Sequence, residues 1–314
     1  MGAPLTLSGL DGRNPMAYFA AIGVLLAAGR VRPETRPRLA WADEPLPRPL
    51  LHTALNRDEL VGALDEDRRA WAGAPALQGT QKSSDDIKFG LADQREYLLT
   101  CRSADDGGRS ALLGAALVAE ASMAGMKKNE GKPTDLHFTA GRQRFLTIAR
   151  RLQRDVTSVH LQEALWGPWR YDQRLPTFKW DVTDDRVYAL SASEPSSTKK
   201  KTVPGADWLA LMGLSAFPVI REPGRSAPPC VAGTWKRGLF RWGLWSEPLT
   251  DDAVRTLIAS QWPTDQVPLF RTGVFRVMTA HIRRRSDSGG CGSFSPASVL
   301  WEGPLASEGK GWHD

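Results

Sequence analysis

Paired aspartates are the residues of this chain whose type and spacing come closest to catalytic chemistry. Adjacent carboxylates occur at positions 85–86, 105–106, 184–185 and 251–252. Such pairs can hold a divalent cation and support hydrolysis of a phosphodiester. Each pair, however, lies in a predicted turn or helix cap, and Asp85 and Asp86 have no histidine or third carboxylate at ligand spacing. We therefore expect no metal ion, no cofactor and no metal-dependent nuclease activity.

The usual sequence signatures of catalysis do not occur in this chain. It contains no P-loop, no dinucleotide-binding glycine fingerprint, no nucleophile elbow and no His-x-x-x-His pair. The single histidines His137 and His160 have no partner at ligand spacing, which favours a core or surface role for each. These absences predict a protein that is not an enzyme. A nuclease assembled from scattered residues stays open as the third alternative.

Three consecutive lysines are the leading candidate for binding a polyanion. They are Lys199, Lys200 and Lys201. Pro204 and Gly205 follow them and open an apolar helix that stops before Pro218. A helix start offers unpaired N–H groups and about half a positive charge. We therefore predict that this loop and helix start bind a phosphate, and the alternative is a solvated loop tip.

Further cations occur beside glycines and at a predicted strand end. A lysine-containing loop and a basic helix that begins near residue 140 again combine glycine with positive charge. An arginine run ends a long strand predicted near the C-terminus. The alternative for the basic helix is an ordinary solvated surface. Besides the lysine triplet, the predicted nucleic-acid-binding residues are Lys127, Lys128, Arg142, Arg144, Arg283, Arg284 and Arg285.

Aromatic residues alternate with arginines in the stretch that follows a short predicted helix. Trp166, Trp169 and Tyr171 stand next to Arg170 and Arg174. Aromatic rings among cations can stack on unpaired bases, each stack contributing roughly 1–3 kcal/mol. The same rings can equally belong to the core.

Composition limits the class of protein and its compartment. The chain has 314 residues, 41% of them hydrophobic, which is enough for a substantial core. A net charge of +6 suits an anionic partner. Three widely spaced cysteines argue against a disulfide framework and favour a reducing cytoplasm. The longest apolar stretch, 16–28, is too short to span a bilayer, so we expect a buried helix and no membrane association.

The pattern of elements predicts an α+β fold of mixed antiparallel sheets with packed helices, in up to two lobes. Helices are predicted from residue 15, from the capping pair Asn56 and Glu59, over 110–126, from about 140, around 160–165, from 204 and after Thr250. The charged stretch 65–69 is expected to face solvent. Strands are predicted over 36–41, 95–101, in hairpins around 178–192 and 233–245, and near the C-terminus. The domain prediction is an N-terminal α+β lobe over 1–155, a C-terminal β-rich lobe over 156–306 and a flexible tail over 307–314.

Three stretches resemble one family. GLDGRNPMAYFAAIGVL near the N-terminus, FTAGRQRFL in the middle and WDVTDDRVYALSASEPSS with VPGADWLALMGLSAFPV later are similar to subunits of the type I-U, or I-G, CRISPR effector complexes. The resemblance implies a non-catalytic subunit of a Cascade-like, CRISPR-associated antiviral defence complex. Its implied partners are guide RNA, target DNA and other subunits of the complex. Both a role like the large subunit and a role like a backbone subunit stay open.

Residues and resemblance together predict a cytoplasmic RNA- or DNA-binding protein that contacts nucleic-acid backbone through dispersed basic loops. The alternative is a protein-interaction or structural subunit that makes no nucleic-acid contact. Steep salt dependence of binding distinguishes the first from the second, because phosphate contacts release counterions.

Overall fold

A computed structural model describes residues 3–119, 132–139, 143–184, 202–222, 225–235, 237–260, 272–284 and 291–303. Nine α-helices lie within these ranges. They are α1 (Pro15–Val31), α2 (Arg57–Ala70), α3 (Pro75–Gln78), α4 (Leu91–Arg102), α5 (Arg109–Leu117), α6 (Phe145–Asp155), α7 (Ser158–Trp166), α8 (Pro204–Leu214) and α9 (Asp251–Ala259). Short 3₁₀ helices occur at Pro33–Thr35 and Val182–Asp184.

The described strands form two main antiparallel sheets. The smaller has the order β1-β3-β2, from β1 (Leu5–Thr6), β2 (Arg38–Trp41) and β3 (Pro49–His52). The larger has the order β11-β10-β9-β8, and β12 also pairs with β10. Its strands are β8 (Val231–Thr234), β9 (Arg237–Trp245), β10 (Val274–Arg284), β11 (Gly292–Phe294) and β12 (Ser298–Glu302). Two short ribbons pair β4 (Val118–Ala119) with β5 (Lys132–Pro133) and β6 (Ile220–Glu222) with β7 (Arg225–Ala227).

The centre of the molecule is the contact between α1 and α8. The side chain of Asn14 accepts a hydrogen bond from the Met16 N–H and so caps α1, which is buried over its first 14 residues. A Cβ added at Gly23 would lie 1.9 Å from Leu209 O, and one added at Gly213 would lie 1.9 Å from Phe19 O. Only glycine therefore allows the two backbones to approach this closely. The predicted buried helix with a small-residue contact face is confirmed.

The larger sheet covers this helix pair with aromatic side chains. Phe19 of α1 lies 5.1 Å from Phe240 of β9 between ring centroids, and Phe240 stacks on Trp242 at 5.1 Å. The Trp242 indole N–H donates to Gly12 O at 2.8 Å, which joins β9 to the turn before α1. Burial of such rings is the main favourable term in folding.

Helix α2 confirms one prediction and corrects another. The reciprocal capping box of Asn56 and Glu59 is present. The expectation that 65–69 faces solvent is wrong, because Asp65, Asp67 and Arg68 are buried. Asp67 is fully buried and pairs with Arg30 of α1 at 2.8 Å. The charged stretch thus fastens α2 to α1, as paired charges can do in a protein interior.

Two predicted strands are also corrected. Residues 95–101 belong to helix α4, whose buried positions Gln94, Tyr97 and Cys101 follow the helical period rather than strict alternation. Residues 178–182 are not a strand. Phe178 and Trp180 alternate with polar residues because both rings are buried and stacked on each other, with centroids 4.6 Å apart. The second half of that predicted hairpin lies outside the described residues.

The α+β prediction is confirmed, with helices and two antiparallel sheets in one chain. The buried core runs without a break from α1 and α2 through α8 into the larger sheet. The division at residue 155 stays a prediction, although α1 and α8, which lie on opposite sides of it, make the closest helix contact described. No helix within the described ranges is both long and apolar enough to cross a membrane.

Candidate nucleic-acid interface

Three arginines and a tryptophan lie at one end of the larger sheet. The β9–β10 register places Arg237 directly opposite Arg283. Trp235, in the turn that leads into β9, is 36% exposed, and the Arg284 guanidinium lies 3.5 Å from the centroid of its ring. We call Trp235, Arg237, Arg283 and Arg284 the basic sheet end. The register thus brings two positive charges to the same end of the sheet.

Arg284 differs from its neighbours because it holds other segments in place. Its guanidinium donates to His137 O at 2.9 Å and also to Asp135 O. Burial lowers the pKa of Arg284 to about 10. The group stays charged at neutral pH. We interpret it as the anchor that attaches segment 132–139 to the sheet.

A buried Asp–His pair continues this anchoring toward α6. The His137 ring lies 3.0 Å from Asp86 Oδ1 through Nε2, and Asp86 also accepts from the Phe145 N–H at 3.3 Å. Burial lowers the pKa of His137. Burial acts to raise the pKa of Asp86, but hydrogen bonds from His137 and from backbone N–H groups outweigh it and the pKa is lowered. A neutral histidine beside a carboxylate is therefore the arrangement at neutral pH.

Arg144, at the start of α6, is the predicted site residue closest to this pair. Its Nη1 lies 3.7 Å from Asp86 Oδ2 and its Nε lies 3.5 Å from Asp85 Oδ2. The side chain is half exposed, so the guanidinium faces solvent above the buried pair. The adjacent aspartates that drew attention in the sequence thus serve as partners for His137 and Arg144.

Residues bordering three predicted basic segments lie beside the basic sheet end. Segment 132–139 follows Lys127 and Lys128 and is held by Arg284. Gly292, which follows the 285–290 stretch, donates its N–H to Phe138 O at 3.1 Å. The 3₁₀ helix Val182–Asp184, which precedes the lysine triplet, contacts β11. These described residues therefore lie near strands β10 and β11. The residues Lys127, Lys128, Arg142, Lys199, Lys200, Lys201 and Arg285 themselves lie outside the described ranges.

The start of α8 does not suit a phosphate, contrary to the argument from sequence. Its first residues are buried, and a Cβ at Gly205 would lie 2.1 Å from His160 O of α7. The fully buried carboxylate of Asp207 occupies the first turn and accepts from the Thr202 hydroxyl at 2.6 Å and the Thr177 hydroxyl at 3.0 Å. This carboxylate already meets the positive end of the helix dipole. Any phosphate contact of the lysine triplet must therefore come from the lysines alone.

The arginines of α6 make mainly internal contacts. Arg150 donates to the carbonyls of Leu77 and Ser84 at 2.7 and 2.6 Å. Arg151 and Arg154 both pair with Asp155, at 3.4 and 2.7 Å. Within the described residues, this helix therefore offers less unpaired charge than its sequence suggests.

The alternating aromatic stretch lines a surface groove. Trp166, Trp169 and Tyr171 are all partly exposed there, next to Arg13 and Arg48. The sequence identified the aromatic residues, but it did not connect them with Arg48. Likewise the pairing of Arg237 with Arg283 depends on strand register, and no sequence motif indicates it.

Among the described residues, no group of three or more His, Cys, Asp or Glu side chains is placed to hold a metal ion. No known protein-family profile matches the sequence, and no curated protein matches it significantly.

Proposed function

We propose that this protein is a non-catalytic nucleic-acid-binding subunit of a guide-RNA-directed CRISPR surveillance complex. It contacts the backbone of guide RNA or target DNA through the basic sheet end and the basic segments predicted from the sequence. The observation that supports this most is the cross-strand pair of Arg237 and Arg283. The register places two arginines opposite each other on neighbouring strands, and a polyanion bound there would meet both positive charges.

The surroundings of that pair also favour a nucleic acid over other anions. Arg237 is exposed and makes no side-chain ion pair with another described residue. Trp235 at this end of the sheet is 36% exposed, and the Arg284 guanidinium lies over its ring. Lys236 and Arg285 adjoin the pair in sequence. The surface therefore combines charge for phosphates with an aromatic ring.

The CRISPR assignment within this proposal rests on the resemblance of three sequence stretches. One of them, GLDGRNP, forms the turn before α1, where Asn14 caps the helix and Gly12 O accepts the Trp242 N–H. Another, VPGADWLALMGL, forms α8 and supplies Gly213 to the central helix contact. Two of the three stretches thus build the scaffold that positions the sheet.

A salt titration tests the proposal. Filter binding of the full chain to single-stranded RNA, single-stranded DNA and duplex DNA of unrelated sequences should show affinity that falls steeply with salt, by a slope of about 0.7–0.9 per phosphate contact. Similar affinities for unrelated sequences are expected, since backbone contacts carry no sequence information. Absence of binding at low salt, or a salt-independent affinity, would overturn nucleic-acid binding. RNA that co-purifies with the protein from cells carrying the complex then tests the CRISPR part separately.

One observation favours the second candidate, a subunit that only binds protein. Strand β12 pairs with β10 on one side, and its other side has no strand partner within the described residues. Val299 and Leu300 on this strand are 49% and 43% exposed. An exposed apolar edge strand promotes association with other chains. If the titration shows no nucleic-acid binding, a protein contact at β12 becomes the preferred function.

A further inference from the structure

A groove in two parts lies on the surface between α7 and the N-terminus of α1. Its larger part has a volume of about 710 Å³ and is lined by Arg13, Asn14, Arg48, Trp169 and Tyr171. A smaller part of about 490 Å³ includes Arg57 and Arg170. Trp166 and Pro168 line both parts, so the two parts adjoin each other. Small-molecule sites commonly have volumes of about 300–1,000 Å³.

The larger part combines aromatic surface with available positive charge. Arg13 binds Asp11 through Nε and Nη2, and Arg48 donates from Nη1 to Leu10 O. Arg13 Nη1 and Arg48 Nη2 make no hydrogen bond to another described residue. A guanidinium carries five N–H donors, so both arginines keep donors for a ligand. The larger part of the groove is lined by two positive residues, Arg13 and Arg48, and one negative residue, Asp11, so its net charge is positive.

The aromatic rings are held in place by the fold. The Trp169 indole N–H donates to Ala164 O at 3.1 Å, and the Trp169 and Tyr171 rings meet edge to face at 6.1 Å. The Tyr171 hydroxyl donates at 2.8 Å to the buried carboxylate of Asp181, which also accepts from Asn14 at 3.1 Å. Because these bonds fix the rings before a ligand arrives, a ligand loses little affinity in ordering them.

The backbone of Tyr171 is strained at the same place. Its φ of +53° is in the left-handed region, which costs an aromatic residue about 1–2 kcal/mol. The strain positions the ring in the wall of the groove while the hydroxyl reaches Asp181. Strained residues of this kind occur often at binding sites.

We propose that this groove binds an unpaired base of a single-stranded nucleic acid, with the base stacked against Trp169 and the adjoining phosphate bound by Arg13 and Arg48. This inference rests on the proposed function, because the same strand also contacts the basic sheet end. It adds a preference for single strands, since a base within a duplex cannot enter the groove. Stacking is tolerant of base identity, so little sequence preference is expected.

An abasic strand provides the test. The full chain is titrated with a single-stranded oligonucleotide and with an abasic oligonucleotide that carries the same number of phosphates. The wild-type protein should bind the base-containing strand roughly 5- to 150-fold more tightly. Trp169→Ala should abolish that difference and leave the salt slope unchanged, whereas Trp169→Phe should retain most of it.

Two further variants serve as a control outside the groove and as a second substitution within it. Trp301→Ala, which removes a partly buried tryptophan outside the groove, should leave the base-dependent difference intact. Ser8→Leu, at an exposed position that lines the groove, should reduce it even if Trp169→Ala does not fold. Equal binding of both strands by the wild-type protein, with a steep salt slope, would refute the groove proposal and leave the proposed function standing. No binding of either strand would refute both.

Discussion

At the scale of single residues, Asp207 is the clearest case of a charge whose state depends on the fold. Burial raises its pKa from the ordinary value of 3.8 to about 6, although hydrogen bonds from Thr202, from the Phe178 N–H and from Thr177 act in the opposite direction. The folded state therefore holds this proton more tightly than the unfolded state. The resulting contribution to stability is present at acid pH and is lost as pH rises from about 4 through about 6.

The substitution Asp207→Asn should remove the loss of stability that the wild type shows as pH rises and Asp207 loses its proton. The free energy of unfolding of the variant minus that of the wild type should increase by roughly 2–2.5 kcal/mol between pH 4 and pH 7, given pKa values of 3.8 in the unfolded state and about 6 in the folded state. Urea unfolding at several pH values measures it. The difference between variants is needed because His137, whose pKa burial lowers, has the opposite effect and loses stability as pH falls. Asp172→Asn, at an exposed position, serves as the control. A constant difference across this pH range would contradict the account.

The glycine contact between α1 and α8 offers a second test on a single residue. Gly23→Ala places a methyl group where Leu209 O now lies, so the helices must separate and the protein should lose roughly 3 kcal/mol of stability. Gly62→Ala is the matched control, because nothing lies within 4 Å of its added Cβ in α2 and the change should stabilise by about 0.5–1 kcal/mol. Thermal or urea unfolding compares the two. Equal stabilities would show that α1 and α8 do not pack as described.

At the scale of elements, phosphate binding by the lysine triplet stays a prediction. It now rests on the charges of the lysines and no longer on the helix dipole of α8. The start of α8 is buried and Asp207 occupies its first turn, so the helix dipole does not assist the lysines. Three lysines can still contact three phosphates by charge alone.

Changing Lys199, Lys200 and Lys201 together to alanine should weaken binding by a similar factor on unrelated sequences. The salt slope should fall by up to about three contacts, each of about 0.7–0.9. Filter binding across salt concentrations measures both effects. A triple alanine variant of the exposed cations Lys82, Arg38 and Arg102 removes the same charge elsewhere and controls for net charge. If both variants bind alike, the triplet is a solvated loop and carries no binding function.

At the scale of the whole molecule, the sequence predicted those elements whose signals are local. Capping residues located α1, α2 and α9, and alternation located the β8–β9 hairpin and the long strand β10. The predictions that were wrong concern residues whose structure depends on contacts distant in sequence. Asp67 in the stretch 65–69 is buried because it pairs with Arg30, and residues 95–101 are helical because Tyr97 and Cys101 pack on one helix face.

For the candidate interface, too, the sequence predicted residue types but not the contacts between distant residues. Sequence alone identified arginines at 283–285 and aromatic residues at 166–171. It did not show that Arg237 lies opposite Arg283, nor that Arg48 lines the groove with Trp169. Both facts follow from strand register and loop packing. Charge composition therefore predicts that a polyanion site exists, and tertiary contacts determine where it lies.

The substitution Arg237→Glu tests the central claim most directly, because it separates stability from binding. An acidic residue opposite Arg283 makes a cross-strand pair of opposite charges, so the variant should unfold at the same or a higher urea concentration than the wild type. Its affinity for single-stranded RNA at low salt should nevertheless fall by roughly tenfold or more, and its salt slope should decrease by about one contact. Arg102→Glu, on the exposed end of α4, should change neither. Wild-type affinity and slope in Arg237→Glu would contradict the assignment of the basic sheet end as the nucleic-acid interface.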